Sequence, residues 1–461
     1  MNEKRSSFTG KIGFVLAAAG SAVGLGNIWR FPYLAAKYGG GIFLLVYLVL
    51  AVTLGFALMT AEIAIGRKTG LSAIGAFKKL NKKYAFVGIL AAIVPAIILP
   101  YYSVIGGWVT KYLVAFISGN GFATAADGYF GAFITSTWEP IGWFMLFIGL
   151  TALVVLFGVE KGIEKVSKVM MPVLVVLTVA IAAYSVYLDG ADGNFEGLKY
   201  YLIPDFSHFS ATTVLAAMGQ LFYSMSLAMG IMITYGSYMK KDVNLESSVT
   251  NIEIFDTGIA FFAGLMIIPA VFAVSGSDAD VAKGPTLMFA VLPNVFKSMG
   301  TIGQFVGAAF FILVLFAALT SSISLMETVV SIICDKFKLN RTKSCLIVFV
   351  GSVLIGLPST LGYGPWAGVT IIGMQFLDFF DFISNNVLMP VVAFLTCLFV
   401  GYVIKPSTVV EEVKLSSKFK REKLFVFIIK YAAPVCIVLI LISSVLDALS
   451  NVIPALKMFS I

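Results

Sequence analysis

Apolar runs of about 20 residues recur along the whole chain, and nothing constrains its folding more. A helix rising 1.5 Å per residue needs about that many to cross roughly 30 Å of hydrocarbon. Eleven runs can be read, at about 12–36, 42–66, 85–117, 140–158, 166–188, 212–238, 251–274, 303–333, 343–360, 369–403 and 424–447. They are continuously apolar, which excludes a β-barrel, whose strands are about ten residues of alternating polarity. Composition agrees: 59% of residues are hydrophobic and 12% charged, outside the range of a soluble domain. The chain is expected to be an all-α integral membrane protein. No linker or low-complexity tract divides it, so residues 1–461 read as a single membrane domain. The first run follows a short polar head without a small-residue cleavage site, and so reads as a permanent span rather than a signal peptide.

Basic residues set the expected orientation. With the N-terminus cytoplasmic, the inner segments hold Lys4, Arg5, Lys11, Arg67, Lys68, Lys78, Lys79, Lys82 and Lys83, with later clusters at 161–168, 240–241, 336–343 and 405–423, in all 24 of the 32 basic residues. The outer segments carry Asp127, Asp189, Asp192, Glu196, Asp205, Asp278 and Asp280. This is the positive-inside pattern of a multi-pass protein in the cell's inner (plasma) membrane, and an odd number of spans then leaves Ile461 outside. The net charge of +8 is therefore a topology signal and implies no nucleic-acid partner. Cys334, Cys345, Cys397 and Cys436 show no metal-ligand spacing, and His208 is the only histidine. With no His/Cys nucleophile pairing, an enzyme is a poor reading.

The first run is odd for a span. Residues 17–33 read AAAGSAVGLGNIWRFPY, placing Gly20, Gly24, Gly26, Asn27, Arg30 and Pro32 at membrane depth. One reading of Gly20 and Gly24 is a packing face of small residues. The other is a broken helix, whose freed N–H and C=O groups lipid cannot satisfy, and which is tolerable only against protein, water or ligand. Freed carbonyls suit a cation, and half-helix N-termini suit a carboxylate. A counterpart lies in the sixth run, where residues 219–235 read GQLFYSMSLAMGIMITY. Paired interruptions in corresponding spans point to the central site of an inverted-repeat transporter, with repeats at about 11–190 and 211–404 and an eleventh span at about 424–447.

The run GSAVGLGNIWRFPY, with the glycines at 39–41, the tyrosines at 101–102, the Gly162-to-Pro172 spacing, GQLFYSMSLAMGIMITYGSY and ALTSSISLM at 318–326, resembles the neurotransmitter:sodium symporter family, whose bacterial members carry amino acids. The resemblance covers nearly the whole chain. It implies the leucine-transporter fold, with two five-helix inverted repeats and one additional C-terminal span, and sodium-coupled uptake of hydrophobic or aromatic L-amino acids. An amino-acid receptor or channel with the same fold is the alternative. Membrane lipid would surround it; the twelfth span of many relatives is absent, and no oligomer is assigned.

Two sodium sites follow from the resemblance. The first would use the Ala22 carbonyl, the side chains of Asn27, Ser224 and Asp256, and the substrate carboxylate. The second would use the carbonyls of Gly20, Val23 and Ala317 with the hydroxyls of Thr320 and Ser321. Such oxygen ligands suit an alkali cation, although Ser and Thr within a span also often bond back to a carbonyl one turn earlier. No organic cofactor is implied, and no chloride, since Asp256 would supply the negative charge. The substrate carboxylate would meet Leu25, Gly26 and Tyr102, and its amino group Ala22, Tyr223 and Ser226. Its side chain would face Ile98, Tyr223, Met229, Ser321 and Leu325. Arg30 and Asp381, with Gln220 nearby, match an extracellular gate; Arg5 and Asp335, with Tyr238, match an intracellular one. Glu62 matches a carboxylate bracing the sixth span.

Overall fold

The computed structural model describes residues 7–191, 193–276 and 286–452, with side chains as far as 446. Lys4, Arg5, Asp192, Asp278, Asp280 and Ile461, all used in the sequence reading, lie outside the described residues. Among those described, nine continuous helices are long and apolar enough to cross a bilayer: Gly41–Thr69, Lys82–Ile117, Trp138–Leu156, Val159–Asp189, Leu245–Ser275, Thr301–Phe337, Arg341–Leu361, Phe376–Val403 and Glu422–Leu446. The first span is a broken one, its halves Lys11–Ala22 and Gly26–Lys37 meeting at 52°. The expected run 212–238 is not one spanning helix either. It forms Ala211–Ser224 and Ile231–Gly236 around a six-residue break at 225–230.

The expected tenth span begins later than 369, at Phe376. Residues 362–375 hold Gly362, Gly364, Pro365, Gly368 and Gly373 and form turns, ending in a tight bridge between Ile371 and Met374. Ile372 and Gly373 both take positive φ there, 54° and 74°, as a two-residue reversal of this hand requires.

Polar residues set several helix ends. The side chains of Ser210, Asn244 and Asn340 accept from the backbone N–H of Thr213, Ser247 and Lys343 and cap the helices that follow. Gly70 and Gly276, in the left-handed region, close two others. The N-terminal half of the first span packs against the fifth, seventh and eighth spans, and the two halves of the sixth pack along the second. Both broken spans are thus shielded from lipid by unbroken helices, which is where freed backbone groups can be satisfied.

Candidate functional site

The two breaks face one another, and small side chains let them do so. A Cβ on Gly24 would lie 2.5 Å from Ser321 Oγ, and one on Gly26 would lie 2.6 Å from Cδ1 of Tyr223. These glycines supply space. In the sixth span Ser226, Ala228 and Gly230 take φ of 53°, 61° and 68°, a conformation costing a non-glycine residue roughly 1–2 kcal/mol. Side chains offset that cost: Glu62, fully buried, accepts from the Ala228 N–H at 2.7 Å, and Ser226 donates to the Ser21 carbonyl at 2.9 Å.

Between the breaks lies a small cavity, with about 30 Å³ open to water-sized occupants. All ten residues expected to meet a substrate line it: Ala22, Leu25, Gly26, Ile98, Tyr102, Tyr223, Ser226, Met229, Ser321 and Leu325. Ser21, Gly24, Ser224 and Ile231, which the sequence reading did not single out for contact with substrate, line it as well. Ile98, Met229, Ile231 and Leu325 are apolar. Backbone and hydroxyl groups form the polar part, with the Leu25 N–H donating to the Tyr102 hydroxyl at 3.3 Å.

Beside the cavity, the three side chains expected at the first sodium site, those of Asn27, Ser224 and Asp256, form one buried network. The Asn27 amide donates to Asp256 Oδ1 at 2.7 Å and to Ser224 Oγ at 3.0 Å, while its Oδ1 accepts from the Gly24 N–H at 3.1 Å. Ser224 donates to the same carboxylate oxygen at 2.6 Å. The Tyr47 hydroxyl completes the network, 3.0 Å from Asp256 Oδ2 and 3.1 Å from Ser224 Oγ. Tyr47 escaped the sequence reading, although the rule applied to Tyr102, that an intramembrane phenol needs a partner, applies to it equally.

The second set divides. Thr320 bonds back to the Phe316 and Ala317 carbonyls of its own helix, at 2.9 and 3.1 Å. Ser321 crosses to the first span and donates to the Ser21 and Val23 carbonyls, at 3.1 and 3.4 Å. Gly20 faces Thr320, whose Cβ would lie 3.3 Å from a Cβ added there.

Beside Tyr223 a second and larger cavity, of about 230 Å³, is lined by Trp29, Arg30, Tyr33, Tyr101, Asp378 and Asp381 among others. Arg30 and Asp381 share this cavity without forming an ion pair. The Arg30 guanidinium lies over the Tyr223 ring, 5.3 Å from its centroid, and Asp381 is held by the Tyr101 hydroxyl at 3.1 Å and the Asn385 amide at 2.7 Å. Gln220 is fully buried and donates to the Gly26 carbonyl at 2.7 Å. At the other end Arg5 is outside the described residues. Asp335 accepts from the Ser72 N–H and hydroxyl, at 2.9 and 2.6 Å. Tyr238 donates to Glu327 at 2.7 Å, a carboxylate that also pairs with Arg341.

A helical bundle whose two broken spans meet around such a cavity defines a membrane transporter of the leucine-transporter fold. The chain belongs to the Sodium:neurotransmitter symporter family, whose profile matches residues 5–123 and 136–455. The crystal structure of MhsT in complex with L-phenylalanine is similar to it at a TM-score of 0.87 and 39% identity, covering 96% of this chain and 100% of that one. Among curated relatives, the uncharacterised sodium-dependent transporter YhdH of Bacillus subtilis (strain 168) is 37% identical, over 96% of this chain and 98% of its own length. An uncharacterised sodium-dependent transporter of Haemophilus influenzae is 32% identical over 96% and 99%. The human sodium- and chloride-dependent taurine transporter is 26% identical over 87% and 72%. The family consists of sodium-coupled transporters, not enzymes, and this chain is a multi-pass, sodium-dependent carrier of a small molecule.

Proposed function

We propose that the chain is a symporter that imports hydrophobic or aromatic L-amino acids with two sodium ions by alternating access. The observation that carries this is the composition of the cavity at the paired breaks. Backbone N–H groups at Leu25 and Gly26 and the Tyr102 hydroxyl lie at one part of it, matching a carboxylate. The Ala22 backbone and the Ser226 hydroxyl match an ammonium, and Ile98, Met229, Ile231 and Leu325 offer an apolar side chain its burial. L-Phenylalanine in the similar MhsT structure supports the same substrate class.

One sodium ion is assigned to the Ala22 carbonyl, Asn27, Ser224 and Asp256, beside the substrate carboxylate; Asp256 supplies the charge that would otherwise call for chloride. The other is assigned to the carbonyls of Gly20, Val23 and Ala317 with Thr320 and Ser321, Thr320 turning its oxygen lone pairs to the ion while its proton stays on its own helix. Arg30 and Asp381 close the outer path over Tyr223 when substrate binds; Asp335 and Tyr238, with Arg5, close the inner one. The protein sits in the plasma membrane with its N-terminus cytoplasmic and its C-terminus outside, its repeats at about 11–190 and 211–404.

Two charges crossing 100 mV provide about 4.6 kcal/mol, equivalent to about three decades of accumulation. The test is uptake into proteoliposomes under imposed sodium gradients, with the common amino acids as competitors. Concentrative, sodium-driven uptake inhibited most by leucine, phenylalanine, tyrosine or tryptophan is expected. Uptake indifferent to the sodium gradient would refute the coupling, and preference for glycine or charged amino acids would refute the substrate class.

A further inference from the structure

One carboxylate outside the substrate and ion sites holds the start of the first span. Glu164 stands at the entry to the fifth span with a side chain only 1% exposed. It accepts from the Thr9 backbone N–H at 2.9 Å and from the Thr9 hydroxyl, and Lys168, one turn on, pairs with it at 2.6 Å. Lys240, beyond the sixth span, donates to the Thr9 carbonyl at 3.0 Å. Every polar group of Thr9 is thereby tied to another part of the bundle. Its neighbour Phe8 is 1% exposed, stacks edge-on with Tyr235 and Tyr238, and donates its N–H to the Tyr238 carbonyl at 3.2 Å.

The carboxylate fits because residue 13 has no side chain. A Cβ on Gly13 would lie 2.2 Å from Glu164 Oε1. Glu164 also ends a widened helical turn, Val159–Glu164, that follows Gly158 at φ 84°. A Cβ on Gly162, within that turn, would lie 2.2 Å from the Val154 carbonyl. The turn bearing the carboxylate is therefore wound unlike the rest of the fifth span. A negative group beside the first N–H groups of helix Lys11–Ala22 is favoured by the helix dipole, and hydrogen bonds to a carboxylate are stronger than neutral ones.

We propose that Glu164 is a positioning residue of the transport cycle: its carboxylate, seated over Gly13, latches the start of the first span to the fifth and keeps the inner side of the cavity closed until it lets go. This rests on the alternating-access reading with the N-terminus cytoplasmic. The half-helix it holds carries Gly20 and Ala22, so weakening the latch favours an arrangement in which the proposed ion ligands are drawn apart. By linkage, sodium affinity falls by the factor that the closed state loses.

The test is amide hydrogen exchange on the full chain, in sodium and in potassium, for wild type, Glu164→Gln, Gly13→Ala, Glu164→Ala and the double variant Gly13→Ala/Glu164→Ala. Both Glu164→Gln and Gly13→Ala are expected to speed exchange across residues 11–22 about tenfold, with the third and eighth spans unchanged, and to raise by a similar factor the sodium concentration that slows it. The double variant should exchange no faster than Glu164→Ala, because the added methyl then has no carboxylate to displace. Unchanged exchange over 11–22 in both Glu164→Gln and Gly13→Ala would overturn the latch, as would a uniform rise in every span. If Glu164→Gln does not fold, Thr9→Val carries the same expectation at smaller size. Wild-type uptake indifferent to sodium counts against the proposed function, and the exchange readout stands apart from it.

Discussion

Replacing Gly26 by Ala tests whether the ring of Tyr223 must lie flat against the first break for the site to work. The added Cβ would sit 2.6 Å from Cδ1 and 2.8 Å from Cε1 of that ring, whereas carbon atoms pack comfortably at roughly 3.5–4.0 Å. The ring must retreat by about 1 Å, and the Arg30 guanidinium, 5.3 Å from its centroid, lies over it. Overpacking of this kind costs about 1–3 kcal/mol, so affinity should fall by roughly 5- to 150-fold. The assay is equilibrium binding of radiolabelled L-leucine or L-phenylalanine in saturating sodium, repeated on a Tyr223→Ala background. If the clash is the cause, Gly26→Ala should cost little where the ring is gone. Wild-type affinity in Gly26→Ala, or an equal loss on both backgrounds, would refute the reasoning.

Asp256→Asn keeps the shape of a fully buried group while removing the negative charge beside Asn27 and Ser224. It should reduce sodium affinity about tenfold or more, a 1.4 kcal/mol change, while native uptake runs equally well in chloride and in gluconate; native uptake that collapses in gluconate would contradict the charge argument. Arg30→Ala and Asp381→Ala should each reduce uptake far more than they lower Tm, because the two groups line a shared cavity rather than form a sealed ion pair, and near-normal uptake by both folded variants would count against the gate. Glu62→Ala leaves the Ala228 N–H without its acceptor in a buried, left-handed turn and should cost about 1–3 kcal/mol of stability, measured as a lowered Tm that Glu62→Gln largely restores.

The spans were legible because bilayer thickness and helical rise convert directly into a length of apolar sequence. The sixth run shows what that rule omits. Its composition spans a membrane, yet Ser226, Ala228 and Gly230 turn the chain out of a helix, and what stabilises the turn is Glu62, 166 residues away from Ala228. The cavity residues were legible through the family resemblance, carried over position by position; taken on its own only Tyr102 stands out, as an intramembrane hydroxyl that needs a partner. Tyr47 stands out by the same rule, and only its partner, Asp256 on the seventh span, gives it meaning. Whether a hydroxyl bonds within its helix or across to another was not legible, and adjacent residues Thr320 and Ser321 resolve it in opposite ways. Nor did sequence say that Arg30 would lie over Tyr223 rather than beside Asp381, since that depends on how the first and tenth spans are set relative to each other.

The network around Asn27 also bears on how the protein is made. Asn27 and Asp256 are 229 residues apart, and Ser321 bonds to Ser21 across 300. At the usual pace of synthesis, the first of these partners emerges roughly 10–50 seconds after the break it must satisfy. Through that interval the first span has to reside at the translocon or in lipid with its interruption only partly compensated, by Asn27 and Tyr102. Substitutions at Ser224, Asp256 or Ser321 therefore strike twice, once at the finished carrier and once at the nascent chain awaiting its partner. Their effect should register as a smaller yield of inserted protein as well as a slower one, with quality-control proteolysis acting on the early spans.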